Sequence, residues 1–218
     1  MPFSCDYKRA FDGDEGPNTG GMGVYSPPGF LNNDQAPATF GAVHAPVVAT
    51  MAAEGAPFRG VLYAGLMIGG DGPRVVEFNC RLGDPEAQAI LPLLDCDFAE
   101  VALLAAEGRL DEAKLRIDET ASCCIVAASG GYPGKYRTGH RISGIAEAND
   151  VALVFQAGTA ERDGILETSG GRVLSVVGRG KHLGEARTRA YEAIGKITFN
   201  GAHHRTDIAA TDPERIPA

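Results

Sequence analysis

The chain has 218 residues, and its 28 acidic and 20 basic side chains give a formal net charge of −8. That charge opposes binding to nucleic-acid phosphates, so no nucleic-acid partner is expected. With 44% hydrophobic and 22% charged residues, the composition excludes disordered, collagen-like and coiled-coil chains. Glycine is the outlier at 29 residues, which predicts tight turns or loops that approach a ligand closely.

The location is predicted from what the sequence does not contain. No apolar run reaches the roughly 18 residues of a membrane span, and the first residues do not form a secretory signal. We therefore expect a cytoplasmic protein without a membrane partner. The cysteines have no CxxC spacing and are odd in number, which predicts reduced thiols rather than disulfides or a zinc site. They are Cys5, Cys80, Cys96, Cys123 and Cys124.

The first part of the chain is predicted to mix loops, one helix and one hairpin. Residues 1–34 are expected to be rich in loops, and residues 35–54 have the apolar spacing of a helix. Strands are predicted at 61–68 and 74–79, where β-branched and aromatic residues are frequent. The turn cluster GGDGP between them predicts an antiparallel hairpin.

Two helices are predicted after the hairpin. The segment Asp84-Pro85-Glu86 has the residue types of a helix start, with Asp84 as the N-cap. This helix is expected to run toward Leu94, and a second one to cover residues 97–106. The polar segment 107–116 is then predicted as a linker that ends a first section, residues 1–106.

A smaller α+β section is predicted for residues 117–208, followed by a polar tail, 209–218, that is expected to fray. Short strands separated by turn residues indicate a β-meander, and a final amphipathic helix closes the section. The expected elements are a buried strand at 121–129, meander strands at 151–158, 165–169 and 172–178, and a helix at 183–197.

The segment VVEFNCRLGDPE carries the sharpest chemical signal. Because alternate residues of a strand share a face, Glu77, Asn79 and Arg81 are predicted to project together. A carboxylate and an amide oxygen suit a magnesium ion that is shared with phosphates, and an arginine suits an oxyanion. The pattern also fits an ordinary strand with a solvated polar face, so both interpretations stay open.

A glycine-rich loop, DGDEGPNTGGMGVYSP, is the second candidate site. Its backbone N–H groups could point at an anion, although no GK[ST] follows as it would in a Walker A loop. A surface turn explains the composition equally well. A third pattern, Gly178-x-Gly180 followed by Gly184, lacks the βαβ context of a dinucleotide-binding fingerprint, and we reject that function for it.

Four segments carry a resemblance to a known family, and they occur in the family's order. They are DYKRAFDGDEGPNTGGMGVYSP, GVLYAGLMIGGDGPRVVEFNCRLGDPEAQ, IVAASGGYPGKY and GGRVLSVVGRGKHLGEARTRAYEAIGKITFNGAHHRTDI. Together they resemble the C-terminal part of the glycinamide ribonucleotide synthetases (phosphoribosylamine–glycine ligases), which are ATP-grasp enzymes of purine biosynthesis. The likeness covers residues 6–208, and the GDPE that follows the Glu-x-Asn-x-Arg strand separates this family from biotin carboxylases.

The resemblance implies an α+β fold. Residues 1–106 would form the second half of an ATP-grasp domain, an antiparallel sheet with helices, and residues 117–208 a small antiparallel β-meander plus helix domain. It also implies the ATP-dependent joining of glycine to 5-phosphoribosylamine through glycyl phosphate. The products would be glycinamide ribonucleotide, ADP and phosphate, with Mg²⁺ or Mn²⁺ as the cofactor and ATP as a co-substrate.

Site residues follow from the resemblance by motif position. Glu77 and Asn79 would hold the metal, and Arg81 would act catalytically by neutralising charge on the transferred phosphoryl group. The implied substrate-binding residues are Lys8, Arg9, Asn18, Thr19, Gly20, Gly21 and Asp84.

Whole members of the family begin with an N-terminal domain and an ATP lid that we do not find in this sequence. We therefore expect that the chain alone does not close around ATP and that the missing N-terminal half is a partner. A natural fragment, a misplaced gene start and a split-gene product all remain open. The alternative function is a non-catalytic ATP-grasp remnant or binding module.

Overall fold

A six-stranded antiparallel sheet organises the computed structural model, which describes residues 1–31 and 35–210. Its strands are β1 (Cys5–Asp6), β4 (Gly23–Ser26), β7 (Ala121–Ser129), β8 (Leu153–Gln156), β11 (Arg172–Gly180) and β12 (Ala202–His203). The strand order is β1-β4-β7-β11-β8, and β12 also pairs with β7. The α+β class with antiparallel sheets is confirmed.

The centre of the sheet is buried on both faces. All residues of β7 are buried, which explains why the strand has a continuous apolar run instead of an alternating pattern. Helix α6 (Leu183–Ile194) covers one face and α3 (Glu86–Ile90) the other. Cys123 packs with the α6 side and Cys124 with the α3 side. All five cysteines are free thiols, and burial raises the pKa of Cys123 to about 12.

The N-terminal segment is more ordered than its sequence predicts. Besides β1 and β4 it contains β2 (Arg9–Phe11) and β3 (Glu15–Asn18), which form a hairpin around a 3₁₀ turn at Asp12–Asp14. The expectation of a loop-rich stretch is wrong because these strands, two to four residues long, are stabilised by pairing rather than by their own propensity. The sheet thus draws strands from both predicted sections, and the boundaries at 106 and 117 stay a prediction.

The predicted helix and hairpin after this segment are both confirmed. Helices α1 (Ala36–Thr39) and α2 (Ala45–Ala53) are joined by a π-helical turn into one helix. Strands β5 (Tyr63–Gly69) and β6 (Gly72–Asn79) pair antiparallel, with a register shift between Gly65 and Leu66. Most side chains of this helix and hairpin are exposed.

The helix Ala36–Ala53 has the length and composition of a possible membrane span. It has 18 residues with a mean hydropathy of 1.2, so by length and composition alone it could cross a membrane. It does not form an uninterrupted apolar run, because Thr39, His44 and Thr50 lie within it. One such helix does not establish a membrane protein, because a helix that packs against protein passes the same test.

The helices after the hairpin begin differently from the prediction. Helix α3 starts at Glu86, and Pro85 rather than Asp84 precedes it without a capping side-chain hydrogen bond. The predicted Asp84 N-cap is therefore wrong. Helix α4 (Phe98–Glu107) is confirmed, and Asp97 caps it by accepting hydrogen bonds from the backbone N–H groups of Ala99 and Glu100. Short 3₁₀ turns follow α3 and α4.

The predicted C-terminal meander is only partly correct. Strands β8 and β11 pair directly in the large sheet, whereas β9 (Thr159–Arg162) and β10 (Ile165–Thr168) form a separate hairpin. Strand β9 was missed because its sequence, TAER, has no apolar alternation. A short helix, α5 (Ile145–Asn149), precedes β8, and the predicted tail from residue 211 onward lies outside the described residues.

Candidate active site

The end of strand β6 brings the two predicted metal ligands together. The Asn79 amide Nδ2 donates a hydrogen bond of 3.1 Å to Glu77 Oε1, so the two side chains share a face as the alternation predicted. Glu77 is exposed and Asn79 is half-buried. Arg81 lies beyond the strand, where its exposed guanidinium donates to the carbonyl oxygen of Leu82.

Lys8 stands at the centre of a group of carboxylates. Its ammonium pairs with the Asp6 carboxylate, and the charges of Glu86 and Glu77 also act on it. Although burial opposes it, these negative charges raise the pKa of Lys8 above its usual value. Lys8 therefore keeps its positive charge, and the carboxylate of Glu77, one of the two predicted metal ligands, is among the charges that act on it.

Two buried carboxyl groups complete this cluster. Burial raises the pKa of Asp6 to about 6, against the opposing effect of its contact with Lys8. Glu86 is 3% exposed, and its Oε1 accepts a hydrogen bond of 2.8 Å from the Tyr63 hydroxyl. Burial, together with the charge of Glu86, raises the pKa of Tyr63, which keeps its hydroxyl a hydrogen-bond donor.

Three N–H groups of the glycine-rich loop already have acceptors within the chain. The N–H of Thr19 donates to the carbonyl oxygen of Lys8 at 2.8 Å. The N–H of Gly20 donates to the Tyr132 hydroxyl at 3.0 Å, and that of Gly21 to Thr19 Oγ1 at 2.9 Å. At these three residues the structure favours the surface-turn interpretation over a loop whose N–H groups point at an anion.

Close packing explains the glycine at position 21. Its φ is +115°, and a Cβ there would lie 2.4 Å from Pro85 Cδ and 2.9 Å from Asp6 Oδ1. The loop thus rests directly on the turn that carries Asp84 and Glu86.

Two further predicted substrate-binding residues, Arg9 and Asn18, lie opposite each other in the β2–β3 hairpin. The Arg9 guanidinium donates to the carbonyl oxygen of Gly16 at 2.7 Å.

Asp84 is held by partners that the sequence did not indicate. Its carboxylate accepts a hydrogen bond of 3.1 Å from Gln88 and forms an ion pair of 3.2 Å with Arg172 at the start of β11. Sequence reasoning missed several residues of the site, although all of them lie inside the four quoted segments. The missed residues are Asp6, Tyr63, Glu86, Tyr132 and Arg172.

Comparisons with known proteins decide the family. The model of the phosphoribosylglycinamide synthetase ATP-grasp (A) domain matches residues 1–87, and the model of the C domain of the same synthetase matches residues 122–211. The chain belongs to the phosphoribosylglycinamide synthetase family. The resemblance found in the four sequence segments is thereby confirmed.

Curated relatives of this family are close in sequence but longer. The phosphoribosylamine–glycine ligase of Caldanaerobacter subterraneus is 46% identical over 96% of this chain and 50% of the relative. That of Allochromatium vinosum is 50% identical over 95% of this chain and 49% of the relative. The chain therefore spans about half the length of the curated relatives it matches.

Solved structures agree with the phosphoribosylglycinamide synthetase assignment. The phosphoribosylamine–glycine ligase of Thermotoga maritima superposes with a TM-score of 0.86 at 38% identity, over 95% of this chain and 51% of that one. The biotin carboxylase domain of Hydrogenobacter thermophilus 2-oxoglutarate carboxylase gives 0.58 at 14% identity, over 84% of this chain and 40% of that one. The second match shows a shared fold alone.

The donor set at the end of β6 fits one class of metal ion. Glu77 offers a carboxylate, and Asn79 offers an amide oxygen after rotation of its amide group. Among residues 1–31 and 35–210, no cluster of three or more histidine, cysteine or acidic side chains could hold a metal by itself. Magnesium typically takes one or two protein oxygens and completes its shell with substrate phosphates and water. The pair therefore fits a nucleotide-associated magnesium and not a structural zinc.

Proposed function

We propose that this chain forms the metal-binding and acceptor-binding part of a phosphoribosylamine–glycine ligase. The observation that carries the proposal is the pairing of two potential oxygen ligands, Glu77 and Asn79, at the end of β6, with the charge of Glu77 acting on Lys8. Membership in the phosphoribosylglycinamide synthetase family gives this arrangement its chemistry. The predicted cytoplasmic location belongs to the same proposal.

The proposed reaction proceeds in two steps. A carboxylate oxygen of glycine attacks the γ-phosphorus of ATP, the bond to ADP breaks, and glycyl phosphate forms. The amine nitrogen of 5-phosphoribosylamine then attacks the carbonyl carbon, phosphate leaves, and the nitrogen loses a proton. Both steps move negative charge onto oxygens, so fixed cations near the reacting groups accelerate them.

Each group of site residues has a role in this scheme. Glu77 and Asn79 hold Mg²⁺ or Mn²⁺, which when bound offsets the charge of the nucleotide phosphates. Arg81 is exposed at the end of β6 and neutralises the transferred phosphoryl group. Substrate binding is assigned to Lys8, Arg9, Asn18, Thr19, Gly20, Gly21 and Asp84.

The structure supports a partner for this chain as well. Five apolar side chains on helix α1–α2 and on both faces of the β5–β6 hairpin are between 37% and 70% exposed, and we call them the hairpin–helix surface. They are Phe40, Met67, Val75, Val76 and Phe78. Exposed apolar side chains that are grouped on neighbouring elements mark contacts with other protein segments. We assign this one to the part of the ligase that the chain does not cover.

Calorimetry with Mg·ATP tests the metal site in the chain alone. Binding that Glu77→Ala and Asn79→Ala each weaken at least about tenfold would support the assignment, because each variant removes one ligand of a two-ligand site. Asp71→Ala is the matched control, because Asp71 is an exposed acid in the turn of the same hairpin. Equal weakening by the control would contradict a specific site.

Ligase activity tests the whole proposal. The chain is assayed with ATP, glycine and 5-phosphoribosylamine, alone and after mixing with a polypeptide that carries the remaining part of the Caldanaerobacter relative. We expect activity in the mixture only, and its loss in the Glu77→Ala variant. If both polypeptides fold and associate without ligation, the alternative of a non-catalytic remnant replaces the proposal.

A further inference from the structure

We infer that Arg172 is a positioning residue that fixes the substrate-binding loop against the turn before helix α3. The inference rests on the proposed function, because it assigns a role in the ligation to a side chain outside the predicted site. Arg172 is the first residue of β11 and comes from the part of the chain that matches the C domain.

The guanidinium of Arg172 joins two loops that are distant in sequence. Its Nη1 donates to the carbonyl oxygen of Gly20 at 3.0 Å and to that of Asp84 at 2.8 Å. It also pairs with the Asp84 carboxylate at 3.2 Å, and 22% of the side chain is exposed. One cationic group therefore sets the distance between the two loops.

The side chain of Tyr132 binds the backbone N–H of Gly20. Its hydroxyl accepts a hydrogen bond of 3.0 Å from the Gly20 N–H, so side chains of the C-domain part hold both the N–H and the C=O of this glycine. The packing is close as well, since a Cβ at Gly20 would lie 3.0 Å from the Arg172 Cζ. The loop has little freedom to shift while these contacts persist.

The origin of Arg172 in β11 makes it a fixed anchor. β11 pairs with β7 on one side and β8 on the other, and most of its residues are buried. The two carbonyl oxygens instead belong to surface loops that carry predicted substrate-binding residues, Gly20 and Asp84. The three contacts all involve Nη1, which the planar guanidinium holds in a fixed orientation, whereas a lysine ammonium acts as a mobile point charge.

Hydrogen exchange of the chain alone tests the contact. Arg172→Met should speed exchange of the Gly20 and Gly21 amides about tenfold, because charge-assisted hydrogen bonds are lost, and leave the amides of β7 unchanged. Arg179→Met is the matched control on the same strand, since the Arg179 guanidinium pairs with Asp118 instead. Faster exchange throughout β7, or equal effects of the two variants, would overturn the inference.

Kinetics of the two-polypeptide mixture test the role in the reaction. Arg172→Lys should lower kcat about tenfold and leave the KM for ATP unchanged, because the variant displaces the loop without touching the proposed nucleotide ligands. Arg179→Lys should change neither constant. Wild-type kcat in Arg172→Lys would overturn the inference alone, whereas an inactive wild-type mixture would overturn the proposed function. In that case the exchange experiment still decides whether Arg172 holds the loop.

Discussion

The buried guanidinium of Arg205 donates a hydrogen bond of 2.9 Å to the Asp14 carboxylate, although 191 positions separate the two residues in the chain. The Arg205 side chain is 0% exposed, donates to Asp207 and to the carbonyl oxygen of Arg9, and lies 4.8 Å from the ring centroid of Tyr7. These contacts hold the C-terminal end of the described chain against the β2–β3 hairpin, which directly follows Lys8 in the sequence.

Replacing this guanidinium should destabilise the fold. We expect Arg205→Met to lower the free energy of unfolding by about 2–3 kcal/mol, because it leaves the partly buried Asp207 without its cation. Urea denaturation measures the change. The control is Arg189→Met on helix α6, whose ion pair with Glu185 is about half exposed and should cost less than about 1 kcal/mol. Similar losses in both variants would contradict the special role of Arg205.

Asp6 should titrate near neutrality. Because its folded-state pKa of about 6 lies above its usual value of 3.8, its contribution to stability is complete below about pH 4 and is lost as the pH rises through 6. Carboxyl carbon NMR of the folded chain gives the midpoint. Lys8→Met should move that midpoint higher, because the contact with Lys8 favours the ionised form. A midpoint near 4 in the native chain would contradict this account.

Asp207 should show the opposite pH dependence. Burial opposes ionisation, but hydrogen bonds from Arg205 and from the N–H of Gly13 lower the pKa of Asp207 to about 2. The stability that Asp207 contributes is therefore present above about pH 4 and is lost as the pH falls toward 2. Urea midpoints between pH 5 and pH 2 should fall more steeply in the native chain than in Asp207→Asn. Parallel curves would show that the carboxylate is not specially stabilised.

Two glycine substitutions should differ strongly in their effect. Gly21→Ala would place a Cβ 2.4 Å from Pro85 Cδ at a φ of +115°, so we expect a loss of about 3 kcal/mol or failure to fold. Gly13→Ala has a φ of +71° and nothing within 4 Å of the new Cβ, so a loss of about 1 kcal/mol is expected. Thermal denaturation compares them, and equal losses would exclude the packing argument.

The hairpin–helix surface should control assembly. Met67→Lys and Val76→Lys replace side chains that are 68% and 70% exposed, so the chain alone should keep its stability and become less prone to self-association. The same variants should fail to bind the remaining part of the ligase in analytical ultracentrifugation. Ile165→Lys on β10 alters an exposed apolar residue elsewhere and should bind normally. Normal assembly of the Met67 and Val76 variants would place the interface on another surface.

Local sequence patterns predicted the elements whose own sequence carries a strong signal. The β5–β6 hairpin follows from apolar strands around a turn cluster, and β7 from its long buried run. The short strands β1–β4 could not be predicted in the same way, because each forms only through its partner. Asp84 shows the same limit within the site, since it has the residue type of an N-cap but pairs instead with Arg172, far along the chain.

The same distinction applies to the residues of the site: those placed by a single element could be predicted, and those placed by a distant partner could not. Alternation on a strand correctly put Glu77 and Asn79 on one face, because that rule involves a single element. The two interpretations of the glycine-rich loop could not be separated from the sequence, because the hydroxyl that accepts from the N–H of Gly20 belongs to the distant Tyr132. Arg205 gave no signal, since two of its acceptors, the Arg9 carbonyl oxygen and the Asp14 carboxylate, come from the opposite end of the sequence.

Strand β4 lies against one edge of β7, and β11 lies against the other. The two family models match residues 1–87 and 122–211, yet both of these sequence units contribute strands to the six-stranded sheet. Loss of residues 1–87 would leave residues 122–125 of β7 with unpaired backbone groups on a wholly buried strand. The two units are therefore expected to fold and unfold as one piece, and a chain that lacks residues 1–87 should aggregate through this exposed edge.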